Sequence, residues 1–189
     1  HQLLKATEHV DLVYHLAAYA KPAESLRDPT RAVEENVLGT LNILEACRQN
    51  SFVLVYPSTC EIYGDSREPI TEKQELNPPN PYAASKAAAD RLCYSYAKAY
   101  GIKVASLRLF NPYGPHQQLN KIIPTFYFQA VRGQPITVYG HGTDTRDYTH
   151  ISDIIRALLT APKLPSGEAV NICTGRTLTN LQVAKMVKE

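Results

Sequence analysis

The stretch Phe52-Val53-Leu54-Val55-Tyr56, which runs on into Pro57-Ser58-Thr59, predicts the central strand of the fold. An unbroken apolar run without polar alternation is typical of a parallel strand that is covered on both faces. In open α/β sheets, ligands bind at the carboxyl ends of the strands. We therefore expect the hydroxyl groups of Ser58 and Thr59 to lie at a binding edge.

Downstream of this strand, Tyr82-Ala83-Ala84-Ser85-Lys86 places a tyrosine and a lysine four residues apart. Residues at this spacing share one face of a helix, so the Lys86 ammonium is expected beneath the Tyr82 phenol, where it would favour the ionised phenol. An unperturbed phenol, with a pKa of about 10, stays protonated at neutral pH and needs such help to act as a base. The spacing alone also fits a solvated helix face, so its significance depends on the hydroxyls that precede it.

Strands and helices alternate along the chain. Apolar runs predict strands over residues 11–18, 52–56, 103–110, 136–139 and 168–173, and helical periodicity predicts helices over 33–49, 82–100, 124–131, 151–159 and from 178 onward. Gly101 is expected to end the second of these helices. This order is typical of a doubly wound α/β fold with a parallel sheet.

Composition argues against several classes of function. The 189 residues carry a net charge of +2 from 20 basic and 18 acidic residues that are mixed along the sequence, so no basic stripe recommends nucleic acid as a partner. No apolar run approaches the ~20 residues that span a bilayer, so we expect no membrane association. The four cysteines show no close pair typical of zinc or a redox disulfide, and we expect no metal, reduced thiols and a cytoplasmic location.

The start of the chain is unusual for a dinucleotide-binding sheet. It opens at His1, without Met or a signal-peptide pattern, and no glycine-rich turn follows a first strand. Gly140-His141-Gly142 is the nearest match, but it lacks a third glycine at the required spacing and no helical pattern follows it. We expect the chain to begin inside a longer protein.

Further motifs surround the strand and the Tyr-Lys pair. They are His15-Leu16-Ala17-Ala18, the segments 35–40, 58–65 and 80–86, and the segments 108–115 and 145–148. In this order they resemble the NAD-dependent nucleotide-sugar epimerase/dehydratase family, the extended short-chain dehydrogenases/reductases. The resemblance implies a Rossmann-like sheet that is incomplete at its start, because the family's glycine-rich βαβ unit would precede the chain.

The resemblance also implies a division into domains. Residues 1–111 would form the dinucleotide-binding domain, and residues 112–189 would form mainly a smaller, partly truncated substrate-binding region. About 147–161 would return to the first domain.

Catalytic roles follow from the same resemblance. Tyr82 would be the base that takes a proton from a sugar hydroxyl, Lys86 would lower the pKa of the phenol and bind the nicotinamide ribose, and Thr59 would orient the reacting hydroxyl.

The implied cofactor is NAD. Leu16-Ala17-Ala18 would flank the dinucleotide with mostly small side chains, and Asn36 would lie close behind them, while Tyr82 and Lys86 would complete the cofactor site. Alternatively, Asn36 is a helix-interior residue that bonds a loop backbone.

The implied substrate is a nucleotide-diphosphate sugar, bound by Asn111, Lys121 and Arg146. An arginine suits this role because its planar fork matches phosphate oxygens. Two alternatives remain open: Asp147 could pair with a neighbouring base and leave Arg146 structural, and Lys121 could be the solvated start of a helix.

Members of the family share an oxidation at sugar C4 and then diverge into epimerases, 4,6-dehydratases and decarboxylases. Dehydratases of the dTDP-glucose kind have the sequence Thr-Asp-Glu at the threonine that bears the active hydroxyl. This chain has Thr59-Cys60-Glu61 at the corresponding position. The missing Asp favours a nucleotide-sugar 4-epimerase. Glu61, a further catalytic candidate, resembles the Thr-Ser-Glu pattern of GDP-mannose dehydratases and sugar-acid decarboxylases, and keeps a dehydratase or decarboxylase as the alternative. A bond to nearby backbone explains Glu61 equally well.

Two broader points stay open. The fold also serves as a cofactor-binding module without turnover, although Thr59, Tyr82 and Lys86 together argue for an enzyme. The resemblance implies a homodimer through helices 31–49 and 81–100, but each helix could instead bury its apolar stripe within one chain.

Overall fold

A computed structural model describes residues 2–188 of the chain. The chain divides into two compact units. The first runs to Leu109 and resumes over Arg156–Ile172, and the second comprises Phe110–Ile155 and the segment from Cys173 onward.

Helical segments alternate along the chain with single strands or pairs of strands. The strands are β1 (Leu12–Tyr14), β2 (Val53–Thr59), β3 (Val104–Leu109), β4 (Pro112–Tyr113), β5 (Thr145–Asp147), β6 (Thr149–His150), β7 (Ala169–Ile172) and β8 (Thr177–Thr179). The α-helices are α1 (Gln2–Ala6), α2 (Pro22–Ser25), α3 (Pro29–Val33), α4 (Gly39–Asn50), α5 (Pro81–Tyr100), α6 (Ile122–Val131), α7 (Ile151–Thr160) and α8 (Asn180–Lys188). A π-helical turn occupies Glu34–Leu38, and 3-10 turns occupy Cys60–Tyr63 and Ala161–Lys163.

The first unit contains a parallel sheet with the strand order β1, β2, β3, β7. β2 lies inside the sheet, in register with β1 on one side and with β3 on the other, where Leu54 lies opposite Val104 and Thr59 lies opposite Leu109. The predicted doubly wound parallel α/β fold is confirmed.

Both faces of β2 are covered. Successive side chains of a strand point to opposite faces, so Leu54 and Tyr56 join a buried cluster with Cys93 of α5, whereas Val55 packs with Ala161 in another cluster. Burial on both faces explains why the sequence of this strand is an unbroken apolar run.

Helix α5 has well-defined ends. Asn80 is its N-cap and accepts a hydrogen bond from the N–H of Ala83, and Pro81 occupies the first helical position, where its fixed φ suits the helix. The helix ends at Gly101, whose φ of +66° lies in the left-handed region that favours glycine. The predicted stop at Gly101 is confirmed.

A buried ion pair connects α5 to β3. Arg108 and Asp90, each only 1% exposed, form two hydrogen bonds, Nη2 to Oδ1 at 2.9 Å and Nε to Oδ2 at 3.2 Å. Arg108 Nη1 also donates to the Tyr63 hydroxyl at 2.6 Å, and that hydroxyl donates to Asn171 Oδ1 at 2.8 Å. These bonds hold the Cys60–Tyr63 turn, which follows β2, against β3, β7 and α5.

Two of the predicted strands differ from the structure. The strand predicted over 11–18 is too long: β1 ends at Tyr14, the His15 N–H still bonds Val55 O at 3.0 Å, and Leu16-Ala17-Ala18 forms an exposed loop. The strand predicted over 136–139 is wrong, because this segment has no regular structure.

The second unit explains why residues 136–139 have the sequence pattern of a strand. Ile136 and Val138 pack against a buried cluster that Phe126 of α6 forms with two residues of α8, so alternate positions are apolar. The N–H of Thr137 donates to the side-chain Oε1 of Gln129 at 3.1 Å, and a side chain therefore occupies the donor that a neighbouring strand would bond. The strands of the second unit form two small sheets instead: β4 pairs with β6 in parallel, and β5 pairs with β8 in antiparallel orientation.

Within residues 2–188, no helix combines the length and the apolar character that crossing a bilayer requires. The same residues contain no cluster of His, Cys, Asp or Glu side chains able to hold a metal ion.

Candidate active site

The carboxyl end of β2 presents two hydroxyl groups. Thr59, 9% exposed, caps the Cys60–Tyr63 turn, with its Oγ1 accepting from the N–H of Glu61 at 3.3 Å. The Ser58 hydroxyl is buried and has no hydrogen-bond partner among residues 2–188. The turn thus begins at Thr59 and places Cys60 and Glu61 directly beside it.

The first turn of α5 brings Tyr82 to these residues. Burial, followed by the charge of Glu61, raises the pKa of the Tyr82 phenol to about 12, although a hydrogen bond with Thr59 acts in the opposite direction. Tyr82 as a whole is 8% exposed. The structure therefore brings together three of the predicted catalytic residues, Thr59, Glu61 and Tyr82.

Lys86 lies one turn further along α5 and faces the end of β2. Its ammonium donates to Pro57 O at 2.7 Å and lies 4.2 Å from the centre of the Tyr56 ring. Burial lowers the pKa of Lys86 to about 8. The ammonium is thus directed to the strand and to the Tyr56 ring, and the expected lowering of the Tyr82 pKa by Lys86 stays a prediction.

The loop after β1 contains the residues predicted at the cofactor. Leu16-Ala17-Ala18 is exposed, and Leu16 in particular is 66% exposed. Asn36, 1% exposed, lies in the π-helical turn. Its Oδ1 accepts from the N–H of Tyr19 at 2.8 Å, and its Nδ2 donates to Tyr19 O at 3.1 Å and to Ser85 Oγ at 2.9 Å. Both amide hydrogens of Asn36 therefore go to the protein itself, and Asn36 bonds a loop backbone as its alternative interpretation expects.

His15, for which the sequence predicts no individual role, also lies near Lys86. Its Nε2 lies 3.1 Å from Thr40 Oγ1, and that hydroxyl donates to Asn36 O at 2.6 Å, so the His15 ring must donate through Nε2. Burial, followed by the nearby charge of Lys86, lowers the pKa of His15 to about 4, so the ring is neutral. Its place in the motif His15-Leu16-Ala17-Ala18 was the one available signal.

The residues predicted at the substrate belong to the second unit. Asn111 Nδ2 donates to Asp147 O at 2.8 Å. The Asp147 carboxylate accepts from the N–H and hydroxyl of Thr174 and from the N–H of Gly175, at 2.7 to 3.2 Å. These bonds engage Asp147 with Thr174 and Gly175, so the pairing of Asp147 with Arg146 that would make Arg146 structural is not formed.

Arg146 and Lys121 are both exposed. Arg146 Nη1 donates to Thr145 O at 2.8 Å, which leaves the guanidinium at the surface of the unit. Lys121 precedes α6 and makes no side-chain capping bond there.

Comparison with known proteins identifies the family. The family model described as "NAD dependent epimerase/dehydratase family" matches residues 1–173, and this chain belongs to that family. A dTDP-D-glucose 4,6-dehydratase of Dictyostelium discoideum is 38% identical over 95% of this chain and 45% of its own length. UDP-glucuronic acid decarboxylase 1 of Xenopus tropicalis is 32% identical over 95% of this chain and 45% of its own length.

Solved structures agree in fold. The UDP-glucose 4-epimerase of Thermotoga maritima, solved with UDP-glucose, has a TM-score of 0.94 and 31% identity, over 99% of this chain and 63% of its own. The UDP-glucuronic acid 4-epimerase of Bacillus cereus, in complex with UDP-glucuronic acid and NAD, has a TM-score of 0.93 and 31% identity, over 100% of this chain and 62% of its own.

The chain spans about half the length of the curated relatives it matches. The predicted family is confirmed, as is NAD as the cofactor of that family. The relatives include epimerases, 4,6-dehydratases and decarboxylases of nucleotide sugars.

The buried ammonium of Lys86 gives a test through the pH dependence of stability. The folded chain has a Lys86 pKa of about 8 in place of 10.5, so between these values the unfolded chain binds more protons and stability rises with pH. We expect the free energy of unfolding of the wild type to gain about 2 kcal/mol relative to Lys86→Met from pH 8 to pH 10.

Denaturant titrations at several pH values measure this difference. Lys98→Met is the matched control, because Lys98 is on the same helix and also lies over a ring, that of Tyr94 at 5.6 Å, but is exposed. A constant difference between wild type and Lys86→Met across this range would show that Lys86 is not desolvated.

Proposed function

We propose that the full-length protein is a nucleotide-sugar 4-epimerase, which acts by NAD-dependent transient oxidation of the sugar at C4. The observation that carries the proposal is the hydrogen bond between Thr59 and Tyr82 at the carboxyl end of β2. A hydroxyl that orients the substrate and a phenol that exchanges its proton are the groups that alcohol oxidation requires.

The exposed loop after β1 and the end of β2 fit a dinucleotide. Leu16-Ala17-Ala18 offers exposed apolar surface with two small side chains, and the Ser58 hydroxyl is a buried polar group without a partner among the described residues. We propose that these residues, with Tyr82 and Lys86, hold NAD, and that Asn36 supports the loop from behind. Bound NAD would supply the acceptor of the hydride.

Tyr82 would handle the proton in both directions. With a pKa of about 12 the phenol is protonated at neutral pH, which is the form that donates to a ketone oxygen. The oxidative direction needs the phenolate, and the hydrogen bond with Thr59 favours that form, since it lowers the pKa. Glu61 opposes ionisation through its charge.

The substrate proposal rests on the second unit. We propose that Asn111, Lys121 and Arg146 contact the nucleotide-diphosphate sugar. Its support is the exposed guanidinium of Arg146, whose planar fork matches phosphate oxygens, together with the engagement of Asp147 by Thr174 and Gly175.

A 4,6-dehydratase or a sugar-acid decarboxylase is the second candidate. The observation in its favour is Glu61, a carboxylate close enough to the Tyr82 phenol to raise its pKa. The epimerase is preferred because Cys60 stands where dehydratases of the dTDP-glucose kind have an acid. A cofactor-binding module without turnover is the alternative from another class.

We further propose a cytoplasmic homodimer that associates through helices 31–49 and 81–100. Large apolar side chains on this part of the chain are partly exposed, at 44% to 54%: Val33, Leu38, Tyr94 and Tyr100.

Sedimentation velocity of the full-length protein should therefore give a dimer, and Tyr94→Glu should weaken the association of its subunits. A wild-type monomer at micromolar concentration would contradict this proposal.

Product analysis tests the activity. Full-length protein with NAD and a panel of UDP, dTDP and GDP sugars should give a product inverted at C4. A 4-keto-6-deoxy or decarboxylated product would show that the second candidate is right, and NAD binding without any turnover would favour the module.

Tyr82→Phe tests the proposed base. Removing the phenol oxygen removes the group that exchanges the proton, so we expect kcat to fall at least about 100-fold with the fold intact. Tyr63→Phe is a control for loss of a buried hydroxyl on the same unit outside the reacting set. Unchanged product formation by Tyr82→Phe would remove Tyr82 from the mechanism.

Glu61→Gln separates the two candidates. In an epimerase, removing the charge lowers the pKa of Tyr82, so the acid limb of the pH–rate profile should move to lower pH while kcat stays within about threefold. In a dehydratase or decarboxylase that uses Glu61 for proton transfer, the same change should abolish product formation. The complete pH–rate profile of both proteins distinguishes these results.

A further inference from the structure

We propose that Ser25 and Asn36 are positioning residues that hold the backbone of Tyr82 from both ends, Ser25 at its N–H and Asn36, through Ser85, at its carbonyl. The inference rests on the proposed role of Tyr82. Neither residue touches the phenol oxygen, so each would act through the placement of Tyr82.

The first turn of α5 shows why an outside partner is needed. The first N–H groups of a helix have no partner within it. Pro81 has no N–H, the N–H of Ala83 bonds Asn80 Oδ1 at 2.9 Å, and the N–H of Ala84 bonds Asn80 O at 2.9 Å. The N–H of Tyr82 therefore has no acceptor on Asn80, because Asn80 Oδ1 and Asn80 O already accept from Ala83 and Ala84.

Ser25, at the end of α2, supplies the missing acceptor. The N–H of Tyr82 donates to Ser25 Oγ at 3.1 Å, across 57 residues of sequence. The Ser25 hydroxyl itself donates to Pro22 O at 2.7 Å, which fixes its hydrogen and turns its lone pairs to Tyr82. Ser25 is 0% exposed, so water does not replace it.

The carbonyl of Tyr82 is held in a similar way. Ser85 Oγ donates to Tyr82 O at 2.8 Å and, because its hydrogen is used there, accepts from Asn36 Nδ2 at 2.9 Å. Asn36 also binds both the N–H and the carbonyl of Tyr19. Ser85 and Asn36 are 2% and 1% exposed.

The two contacts come from one stretch of chain, the segment that runs from the loop after β1 through the π-helical turn. The start of α5 is therefore fixed to the segment that we propose to border the cofactor. A phenol must be placed within a fraction of an ångström to transfer a proton efficiently, and misplacement by about 1 Å costs about 100-fold in rate. Such a clamp affects turnover more than substrate affinity.

Ser25→Ala in the full-length protein tests the proposal. We expect the amide of Tyr82, followed by NMR in protein labelled with ¹⁵N-tyrosine, to exchange with solvent at least 10-fold faster than in the wild type. We expect kcat to fall about 10- to 100-fold with KM within about threefold. Ser25→Cys, which keeps a weak acceptor at the same position, should lie between the two.

Ser166→Ala is the matched control. Its hydroxyl also accepts a backbone N–H, that of Val104 at 3.3 Å, and donates to a carbonyl, Ile102 O at 2.6 Å, but at the amino end of β3. It should leave both kcat and the exchange of Tyr82 as in the wild type.

The outcomes separate the clamp from the proposed function. Unchanged exchange of the Tyr82 amide in Ser25→Ala would overturn the clamp, and faster exchange with unchanged kcat would overturn its positioning role while the epimerase stands. If the wild type turns over no nucleotide sugar, the proposed function fails and the catalytic part of the inference fails with it, while the exchange comparison still decides whether Ser25 holds the amide.

Discussion

The parallel register of β2 against β3 determines where every proposed reacting group lies. β2 pairs with β3 without interruption up to its carboxyl end, from Leu54 opposite Val104 to Thr59 opposite Leu109. Helix α5 packs on one face of the same strand and begins at that edge. Thr59 and Tyr82, far apart in sequence, therefore meet because a strand ends where a helix starts.

Burial sets the electrostatics at this edge. It disfavours the charged form of every group there, so the pKa of Tyr82 rises while those of Lys86 and His15 fall. Ionisation of Tyr82 to the phenolate therefore needs interactions that offset the cost of burying the charge. The hydrogen bond with Thr59 is one such interaction. In the buried Arg108–Asp90 pair, by contrast, both groups stay charged because two hydrogen bonds join the guanidinium to the carboxylate and offset the cost of burying the charges.

The sequence predicts features that depend on local pattern and misses those that depend on partners. The apolar run at β2, the stop at Gly101 and the parallel α/β fold class follow from burial and backbone conformation, and they match the structure. The strand prediction for residues 136–139 is wrong because apolar residues also occur at alternate positions in this irregular segment, where Ile136 and Val138 pack against a buried cluster. The spacing of Tyr82 and Lys86 places both on α5, but it does not fix which partner the ammonium takes, and Pro57 O takes it. Nothing near Ser25 indicates a contact with an amide 57 residues away.

The central claim is that Thr59 and Tyr82 act on the hydroxyl at C4 and that hydrogen returns to the same carbon. The most direct measurement uses the nucleotide sugar that the full-length protein accepts, deuterated at C4, with NMR detection of the label in the product. The account predicts a product inverted at C4 that keeps deuterium on that carbon. A product without deuterium at C4 would contradict it.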